Sequence, residues 1–417
     1  MSTEATEVNE ATASLSATAE VRAAQPGYKR TELGVIPEDW SVEPLLSALH
    51  LPTGQVDPRR EPYKSMVLIA PDHIEAATGR LLEQKTAAEQ HAISGKYLFK
   101  IGDIVYSKIR PYLRKAILAD FDGLCSADMY PLAAAPGVSP RFMLAVLLGY
   151  DFSSFAEAVS ARSGIPKINR NELAEYRVAL PTSPEQRVIA EALSDVDALL
   201  GAMEALIDKK RAIKLAVMQQ LLTGKTRLSG FSREWEKKRI RDLVTYERPD
   251  RYIVQSTEYT DRGDVPVLTA NKSFILGYTD EAFGVCHDLP VIVFDDFTTD
   301  RKYATFPFKV KSSAIKLLHP KDDRVSLRYV FERMQLIRFR LGDHKRYYIS
   351  EYQNLELLAP DYDEQVAIVS ELSDMDAEIT ALERRRDKTR AIKEGIMQQH
   401  LTGRVRLVEP PQREVSA

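Results

Sequence analysis

Hydrophobic residues recur at steps of three and four positions in two long stretches of the chain, one near the middle and one near the end. In the first stretch the apolar positions are Ile189, Leu193, Val196, Leu200, Met203, Ile207, Ile213, Val217 and Leu221. In the second stretch they are Ile368, Leu372, Met375, Ile379, Leu382, Ile392 and Ile396. A single narrow apolar stripe of this period is typical of coiled-coil helices. The pattern predicts two helices of about 38 residues, each roughly 57 Å long.

The two helical stretches are copies of one sequence. Residues 185–228 align with residues 364–407 at a constant offset of 179 positions, without a gap, and 24 of the 44 positions are identical. Near its end each copy contains the phrase MQQ-x-LTG, in which Gly224 and Gly403 suit the end of a helix. A gapless match of this length marks an internal duplication.

A distinct region precedes each long helix. Each begins with a tryptophan motif, Glu38-Asp39-Trp40 or Arg233-Glu234-Trp235, followed by a short amphipathic run. The segments VLIAPDHI, DIVYSKI and YRVAL predict strands in the first region, and VPVLTA, LPVIVF and SAIKLL predict strands in the second. The segments RFMLAVLLGYDFSSFAEAVSA and RYVFERMQLIRFRL have helical spacing. Both regions are therefore expected to be heads of mixed α+β structure.

The predicted fold class is α+β, with two globular heads joined by two long helices in a pseudo-twofold internal repeat. Neither helix can bury its stripe alone, so we expect the two to pair as an antiparallel coiled coil. The expected segments are a disordered Ala/Thr/Glu/Ser-rich tail at 1–27, a first head at 28–180, a first helical region at 181–228, a second head at 229–359, a second helical region at 360–407 and a C-terminal tail at 408–417.

Composition and charge limit the location and the partners of the chain. No apolar run approaches the ~18 residues that a membrane span needs. Cys125 and Cys286 are the only cysteines and form no zinc-ligand spacing, which favours the reducing cytoplasm. The net charge is −3, and the first head carries 18 basic and 18 acidic side chains while the second carries 22 and 20. A nucleic-acid surface would therefore be a local basic patch on a balanced body.

Motifs of the common catalytic classes are absent from the sequence. It has no Walker A loop, HExxH motif, nucleophile elbow or glycine-rich dinucleotide fingerprint. For the isolated pair Cys286-His287 a structural role is the better interpretation. Asp295-Asp296 resembles a metal-binding carboxylate pair, but no third acidic ligand stands at nuclease spacing, so a strand end or a solvent-facing position is favoured. The sequence indicates a binding protein.

A small motif recurs at matching places in the two heads. Arg162-Ser-Gly164-Ile-Pro-Lys167 and Arg340-Leu-Gly342-Asp-His-Lys345 share the pattern R-x-G-x-x-K, each shortly before its long helix. Glycine permits a tight loop, and the flanking cations can contact phosphate oxygens of DNA. Neighbouring candidates for contacts with DNA are Asn169, Arg170, His344, Arg346 and Tyr347. The alternative is a linking loop whose charges are simply solvated.

A second basic run follows a predicted strand in the first head. The run Lys108-Ile-Arg110-Pro-Tyr112-Leu-Arg114-Lys115 mixes cations with an aromatic ring, which suits contacts with DNA but also an ordinary solvated surface. The matching place in the second head is less basic and offers Arg301 and Lys302 as candidates.

In combination, these features resemble one family, the specificity subunits of type I restriction-modification systems. The resemblance covers residues 28–407 and rests on the duplication together with the segments GVIPEDWSVEPL, GDIVYSKIRP and SPEQRVIAEALSDVDALL. The second copy departs from the family pattern, since Pro360-Asp361-Tyr362-Asp363 replaces the usual proline-rich entry to Glu-Gln. This departure concerns the local turn at the helix start.

The resemblance implies a division of labour among subunits. Each head would be a target-recognition domain that reads one half of a bipartite site in double-stranded DNA. The paired helices would space the heads and dock two methyltransferase subunits, and restriction subunits would join that core. S-adenosylmethionine, ATP and Mg would bind to those partner subunits, so the present chain would be non-catalytic and bind no cofactor.

Two other functions stay open on the residues alone. A tandem coiled-coil scaffold whose heads bind protein partners would show the same helices. Ionic strength distinguishes the two classes, because affinity for DNA falls steeply with salt through counterion release, whereas an apolar protein interface is less sensitive. A self-sufficient restriction enzyme is disfavoured, because it would need methyltransferase or nuclease motifs within this chain.

Overall fold

Two compact units make up the chain in a computed structural model, which describes residues 26–161, 164–270, 273–342 and 345–408. Of these described residues, those up to 203 and from 385 onward belong to unit 1, and those from 204 to 384 belong to unit 2. Each unit therefore contains one head together with part of each long helix. Most of the predicted N-terminal tail and residues 409–417 lie outside the described residues.

Unit 1 is built from eleven short strands and four short helices in its described residues, besides its parts of the long helices. The strands are β1 Tyr28–Thr31, β2 Gly34–Pro37, β3 Ser41–Pro44, β4 Leu49–His50, β5 Leu68–Ile69, β6 Tyr97–Phe99, β7 Ile104–Ser107, β8 Ala116–Leu118, β9 Gly123–Cys125, β10 Met129–Ala134 and β11 Arg177–Leu180. The short helices are α1 Leu45–Ala48, α2 Pro140–Leu148, α3 Tyr150–Ser160 and α4 Arg170–Glu175.

The main sheet of unit 1 has four antiparallel strands in the order β4-β10-β7-β8. Its central strand β7, with the sequence Ile-Val-Tyr-Ser, is buried along its whole length. A second sheet has the order β5-β9-β6, and β3 pairs with β11 beside the long helices. The segment VLIAPDHI forms only the two-residue strand β5, because a 3-10 turn starts at Pro71, which has no backbone N–H to donate to a ladder.

Unit 2 follows the same plan with different lengths. Its elements are β12 Glu236–Arg239, α6 Ile240–Leu243, β13 Val244–Glu247, β14 Val265–Leu268, β15 Ile275–Thr279, β16 Val291–Asp295, β17 Arg301–Ala304, β18 Lys309–Val310, β19 Ile315–Pro320, α7 Leu327–Gln335 and β20 Glu356–Ala359. The main sheet has the antiparallel order β13-β19-β16-β17, which is the order of the main sheet in unit 1 with β16 in the place of β7.

The shared topology shows that the two heads are related in structure, although their sequences were expected to be divergent. In each head the strand after the tryptophan pairs with the last strand before the long helix. Leu180 pairs with Ser41 in unit 1, and Ala359 pairs with Glu236 in unit 2. The offset from Leu180 to Ala359 is again 179 positions, so the equivalence of the helical copies continues backwards into the heads.

The two long helices are α5 Ser183–Leu221, with 39 residues, and α8 Tyr362–Leu401, with 40 residues, close to the predicted length. In unit 1, Ile189 and Leu193 of α5 share a buried core with Met397 of α8. In unit 2, the core contains Met218 and Leu221 of α5 and Ile368 and Leu372 of α8. Within each unit, the residue numbers rise along one helix as they fall along the other, so the helix parts run antiparallel.

Salt bridges flank this packing within each unit. In unit 1, Lys393 lies 2.6 Å from Asp197. In unit 2, the ion pairs are Lys214 with Asp376 at 2.5 Å, Lys210 with Glu378 at 2.6 Å and Arg211 with Glu383 at 2.5 Å. Lys210, which interrupts the apolar stripe in the sequence, is accommodated because its ammonium reaches a carboxylate on the other helix.

The other predicted helices are shorter than their apolar patterns. The segment RFMLAVLLGYDFSSFAEAVSA forms two helices, because Gly149 ends α2 and precedes α3. A Cβ at Gly149 would lie 3.1 Å from the carbonyl oxygen of Val146. The second predicted helix ends at Gln335, so the remainder of RYVFERMQLIRFRL is not helical. In the described ranges no single helix is long and apolar enough to cross a bilayer, and only the bent pair α2 and α3 meets the length and composition criteria together.

Candidate nucleic-acid interface

The two predicted basic segments of the first head lie side by side in unit 1. The N–H of Ile168 donates to the carbonyl oxygen of Lys108 at 2.9 Å, and the N–H of Arg110 donates to that of Pro166 at 2.8 Å. Ile109 and Lys167 form an antiparallel bridge. We name this surface, residues 108–112 together with 164–170, the unit 1 seam. It joins segments that are far apart in sequence.

Some candidate side chains at the unit 1 seam face solvent. Arg110, Tyr112 and Lys167 are exposed, and within the described residues none of these three side chains has an assigned hydrogen bond or ion pair. Lys108 is half-buried, with its ammonium 5.3 Å from the centroid of the Tyr130 ring. The seam therefore presents several cations without carboxylate partners, which is the arrangement that attracts a polyanion.

Other candidates of the first head are held by internal contacts. The Arg114 guanidinium donates to the carbonyl oxygen of Leu148 and to the Glu394 carboxylate, both at 3.3 Å. Lys115 donates to the carbonyl oxygen of Pro71 at 2.7 Å, and Arg170 donates to that of Pro52 at 3.1 Å. The Asn169 side chain accepts the N–H groups of residues 171 and 172 and so caps α4. Arg162 lies outside the described residues.

The equivalent surface of unit 2 identifies which residues match between the heads. The N–H of Tyr347 donates to the carbonyl oxygen of Asp296 at 2.8 Å, as Ile168 does to Lys108 in unit 1. Tyr347 is therefore the counterpart of Ile168, and Arg346 is the counterpart of Lys167. The R-x-G-x-x-K alignment, which matches Lys167 with Lys345, is wrong by one residue, because the hydrogen bonds keep the offset of 179. We name residues 296–300 together with 345–348 the unit 2 seam.

The candidates of the second head divide in the same way. Arg340 is exposed. The Arg346 guanidinium donates to the Ser313 hydroxyl at 3.3 Å and lies 5.8 Å from the Phe297 ring centroid. Lys345 forms an ion pair with Glu351 at 2.6 Å.

Three further candidates of the second head are largely enclosed. Tyr347 is buried, and its hydroxyl oxygen accepts the N–H of Gly342 at 2.8 Å. Arg301 donates to the carbonyl oxygen of Thr299 and to the Tyr352 hydroxyl, while Lys302 is half-buried on β17. His344 lies outside the described residues. Contact of these residues with DNA stays a prediction, and for Tyr347 it would require the loop to move.

The acidic pair Asp295-Asp296, at the end of β16, has a structural role. Asp295 ends β16, as expected, and its carboxylate accepts the N–H groups of Phe297 and Thr298, both at 2.9 Å. Asp296 does not face solvent, because it is buried in an ion pair with Lys316 at 3.2 Å and also accepts the N–H of Tyr348 at 2.7 Å. Each carboxylate is thus engaged within the protein.

Neither cysteine is placed as a nucleophile. Cys125 and Cys286 are both buried free thiols, and burial raises the pKa of each thiol. A raised pKa disfavours the reactive thiolate, which fits the structural role expected for Cys286. Among the residues that the structure describes, no group of three or more His, Cys, Asp and Glu side chains is placed to hold a metal ion.

The repeated Glu-Gln that opens each long helix binds the head of its unit. In unit 1, the indole N–H of Trp40 donates to the Glu185 carboxylate at 2.9 Å. The Arg406 guanidinium donates to the same carboxylate at 2.7 and 3.1 Å and to Asp39 at 2.8 and 2.9 Å. We name this arrangement the unit 1 clasp. It joins the head, the start of α5 and the segment after α8.

Unit 2 contains the matching clasp with one carboxylate fewer. The indole N–H of Trp235 donates to the Glu364 carboxylate at 2.9 Å, and Arg227 donates two hydrogen bonds of 2.6 Å to that carboxylate. The guanidinium also lies 5.7 Å from the Trp235 ring centroid. Arg227 and Arg406 are the arginines of the repeated LTG-x-x-RL phrase, so the clasps explain why both halves end on the same residues.

The glutamine of each Glu-Gln pair continues the attachment. The amide oxygen of Gln186 accepts the N–H of Ser139, the capping residue of α2, at 2.8 Å, and its amide nitrogen donates to the carbonyl oxygen of Pro181. Gln365 makes the corresponding bonds to Ser326, which caps α7, and to Pro360. The altered entry segment of the second copy therefore leaves these contacts intact.

The two repeated glycines complete the clasps. Gly224 and Gly403 have φ angles of +72° and +68°, a region that L side chains rarely adopt. A Cβ on Gly403 would also lie 2.4 Å from the Cδ atom of Pro37, and one on Gly224 would lie 3.2 Å from the Trp235 ring. The glycines end the long helices, as expected, and also make room for the tryptophan segment.

The polar residues of the repeat are a signal for the clasps in the sequence. Glu185, Gln186 and Arg227 all stand at identical positions of the 44-residue repeat, yet none lies on the apolar stripe. Polar residues that are identical in both copies but lie off the apolar stripe indicate a contact other than the packing of the two long helices.

Comparison with known proteins identifies a family model and several relatives. The model described as type I restriction modification DNA specificity domain matches residues 75–210 and 232–390. The chain is 31% identical over 226 residues to the type I restriction enzyme EcoDI specificity subunit of Escherichia coli, a match covering 53% of this chain and 48% of that protein. It is 41% identical over 163 residues to the EcoR124I/EcoR124II specificity subunit of the same species, covering 37% and 40%.

Each of these matches spans half or less of the length of the curated relative. One solved chain is similar over nearly its whole length, from a study of complex assembly and conformational transition of the type I R-M system. It gives a TM-score of 0.57 at 18% identity and covers 89% of this chain and 99% of the solved chain. That likeness concerns the fold.

Proposed function

The chain belongs to the type I restriction-modification DNA specificity family, and we propose that it is the subunit that selects the DNA sequence for such a system. Each head would read one half of a bipartite site in double-stranded DNA. The single observation that carries this proposal is the pair of seams. The same strand end and the same loop meet in both units, but the side chains differ from one unit to the other.

The seams provide the two kinds of contact that DNA recognition needs. Lys167 and Arg346 are equivalent cations on a shared backbone, which suits contact with phosphate oxygens independently of sequence. The turns that follow the shared strand ends differ in length and sequence, with eight residues between β7 and β8 in unit 1 but five between β16 and β17 in unit 2. Variable side chains beside shared cations allow the two heads to specify different bases.

The long helices would act as a spacer and a platform in this proposal. Paired as an antiparallel coiled coil, they would fix the separation of the half-sites and dock two methyltransferase subunits, with restriction subunits joining the assembly. S-adenosylmethionine, ATP and Mg would be bound by those partners, and this chain would be a non-catalytic component in the cytoplasm. The intrachain ion pairs along α5 and α8 support the pairing.

Exchange of the first head is expected to change one half of the target only. In the chimera, residues 28–180 of this chain are replaced by the corresponding head of a relative. The relative is chosen so that the tryptophan motif at 38–40, and hence the unit 1 clasp, is retained. The chimera is produced together with the methyltransferase subunit of the present chain. Sequencing of methylated bases in host DNA should then show a bipartite motif with one new half and one unchanged half. Cells lacking this gene should show neither motif.

Two outcomes would contradict the proposal. If the methylated motif is unaltered in the chimera, the first head does not select DNA. If the motif persists without the gene, the chain is not the specificity subunit, and the protein scaffold becomes the better description.

The equivalent cations at the seams are expected to contribute affinity without specificity. Lys167→Ala and Arg346→Ala should each weaken binding to matched and half-mismatched duplexes by the same factor, and each should reduce the slope of log K against log salt by about one unit. Binding by the assembled methyltransferase can be titrated at several salt concentrations. The matched controls are Arg30→Ala and Arg241→Ala, at exposed arginines outside the seams.

If both seam variants retain the affinity and the salt slope of the unaltered protein, the segments 164–170 and 345–348 are only connecting loops. The phosphate contacts must then lie elsewhere, with residues 108–115 as the next candidates.

A further inference from the structure

Asp296 follows the last residue of β16 and joins the two segments of the unit 2 seam. Its carbonyl oxygen accepts the N–H of Tyr347 at 2.8 Å, and its carboxylate accepts the N–H of Tyr348 at 2.7 Å. One residue therefore receives two consecutive amides of the loop that carries Arg346. On its other side, the Asp296 N–H donates to the carbonyl oxygen of Ala314, in the turn before β19, at 2.8 Å.

A buried lysine holds the Asp296 carboxylate in place. The Lys316 ammonium, on the neighbouring strand β19, lies 3.2 Å from that carboxylate, and the two side chains are only 4% and 2% exposed. A buried charge needs a partner, but a buried ion pair adds little stability compared with well-packed apolar side chains. The pair is therefore better explained by the position that it imposes on the loop than by the stability of the head.

The seam loop of unit 2 places one cation at the surface. Tyr347 and Tyr348 are buried, whereas Arg346 is exposed. The Arg346 guanidinium lies over the Phe297 ring and donates to the Ser313 hydroxyl. The backbone that follows Arg346 is thus fixed while its side chain faces solvent. A cation on a fixed backbone loses less conformational entropy on binding phosphate than a cation on a free loop does.

Unit 1 has the same backbone frame with a different side chain. The N–H of Lys108 donates to the carbonyl oxygen of Asp128 at 3.0 Å, and its carbonyl oxygen accepts the N–H of Ile168, which is the pattern found at Asp296. These bonds lie at the strand end itself, so the equivalence does not depend on the turns that follow. The Lys108 ammonium lies over the Tyr130 ring. A cation over a ring in the first head is replaced by a buried ion pair in the second.

The two heads use different acceptors for the equivalent loop amide. In unit 1, the N–H of Asn169, the residue equivalent to Tyr348, donates to the Glu172 carboxylate at 2.7 Å. Glu351 stands 179 positions after Glu172, but it forms an ion pair with Lys345. The second head therefore uses another carboxylate for this amide, and the residue after β16 provides it.

We propose that Asp296 is a positioning residue for DNA recognition by the second head. Its carboxylate, held by Lys316, fixes the loop 345–348 so that Arg346 meets a phosphate of the second half-site. This inference rests on the proposed function. It goes further, because it assigns the placement of that cation to a buried ion pair.

Two double variants of the full chain, assembled with its methyltransferase subunit, test the role of the carboxylate. Asp296→Ala with Lys316→Met removes both charges and the acceptor of the Tyr348 N–H. Affinity for the matched duplex should fall roughly tenfold, as for the loss of one charge-assisted contact, and the salt slope should fall by about one unit. Asp296→Asn with Lys316→Met keeps an oxygen for that N–H without a buried charge, so it should restore both values.

Coupling to Arg346 separates positioning from a general effect on the fold. Once the loop is released, Arg346→Ala should cause little further loss. The combined variant should therefore bind within about twofold of the Asp296→Ala, Lys316→Met protein. Independent effects would instead multiply the two losses.

A second buried ion pair in unit 2 provides the matched control. Lys309 lies 2.9 Å from the Glu281 carboxylate, which also accepts the N–H groups of Gln255 and Ser256, each at 2.9 Å. Glu281→Ala with Lys309→Met therefore removes the same kind of contacts outside the unit 2 seam. This control should lower the melting temperature and leave the salt slope unchanged.

Amide hydrogen exchange in the unaltered complex adds a measurement that requires no variant. The Tyr347 and Tyr348 amides should exchange slowly, because both donate to Asp296. Exchange as fast as that of an exposed loop overturns the assignment. It is also overturned if the Asp296→Ala, Lys316→Met variant keeps its salt slope, if the control loses the same slope, or if Arg346→Ala costs as much with the loop released as without. If the unaltered complex shows no sequence preference at all, it is the proposed function that fails.

Discussion

Replacing Leu193 with Asp is expected to unfold unit 1. Leu193 is 4% exposed and packs in the core that joins the head of unit 1 to both long helices. Truncation of a buried leucine alone costs roughly 2–5 kcal/mol. A carboxylate at this site would also lose its hydration without gaining a partner, so the total should approach the ~5–15 kcal/mol that stabilises a whole domain. Thermal unfolding followed by circular dichroism should show the loss.

A matched control lies on the same helix. Leu199 is 45% exposed, so Leu199→Asp should change the free energy of unfolding by less than about 1 kcal/mol. Leu372→Asp tests the equivalent core of unit 2, where Leu372 is buried, and Val366→Asp is its exposed control. If the double variant Leu193→Asp, Leu372→Asp keeps its melting temperature, the long helices do not pack through these faces.

Arg406→Met should release the first head from its long helix. Glu185 is fully buried, so without the arginine its carboxylate would stay desolvated beside the Trp40 indole with no cation to pair with. Burial lowers the pKa of Arg406, but its hydrogen bonds to Glu185 and Asp39 outweigh burial and raise that pKa above its usual value. Removing one partner of a buried ion pair costs about 3–5 kcal/mol, because the remaining charge stays desolvated.

A double-mutant cycle separates the ion pair from the packing around it. Glu185→Gln removes the charge but keeps an oxygen that accepts the Trp40 N–H. Combined with Arg406→Met, it should therefore recover part of the stability that the single arginine variant loses. Arg227→Met in unit 2 should cost less, since the Arg227 side chain is 26% exposed against 10% for Arg406 and binds one carboxylate rather than two.

Fluorescence can report each clasp separately. The chain has two tryptophans, one in each clasp, so Trp235→Phe leaves Trp40 as the sole emitter and Trp40→Phe leaves Trp235. Arg406→Met should shift the emission of Trp40 and leave that of Trp235 unchanged. An unfolding free energy within about 1 kcal/mol of the unaltered protein would mean that the clasp is not a principal attachment.

The long helices and the duplication were determined by the sequence alone. A helix of this length can be predicted from sequence because its apolar period involves only residues three and four positions apart. The helices α5 and α8 have close to the predicted extents. The main strands β7, β14, β16 and β19 were also predicted, because short apolar runs bounded by turn residues are local signals. The predictions of shorter elements were wrong where a single residue interrupted the apolar pattern, as Gly149 does between α2 and α3.

Only the tertiary structure decided which candidate side chains could meet DNA. Arg110 and Arg114 belong to the same basic run and have the same left-handed backbone conformation, yet one is exposed and the other is bound to Glu394, 280 positions away. The equivalence of Lys167 with Arg346 depended on hydrogen bonds between the seam segments. In the sequence alone, so short a motif can be aligned in registers that differ by one residue. The clasps join residues up to 367 positions apart, as Asp39 and Arg406 show. A local pattern records which residues repeat, whereas the partner of a charged side chain depends on where the folded chain brings a second charge.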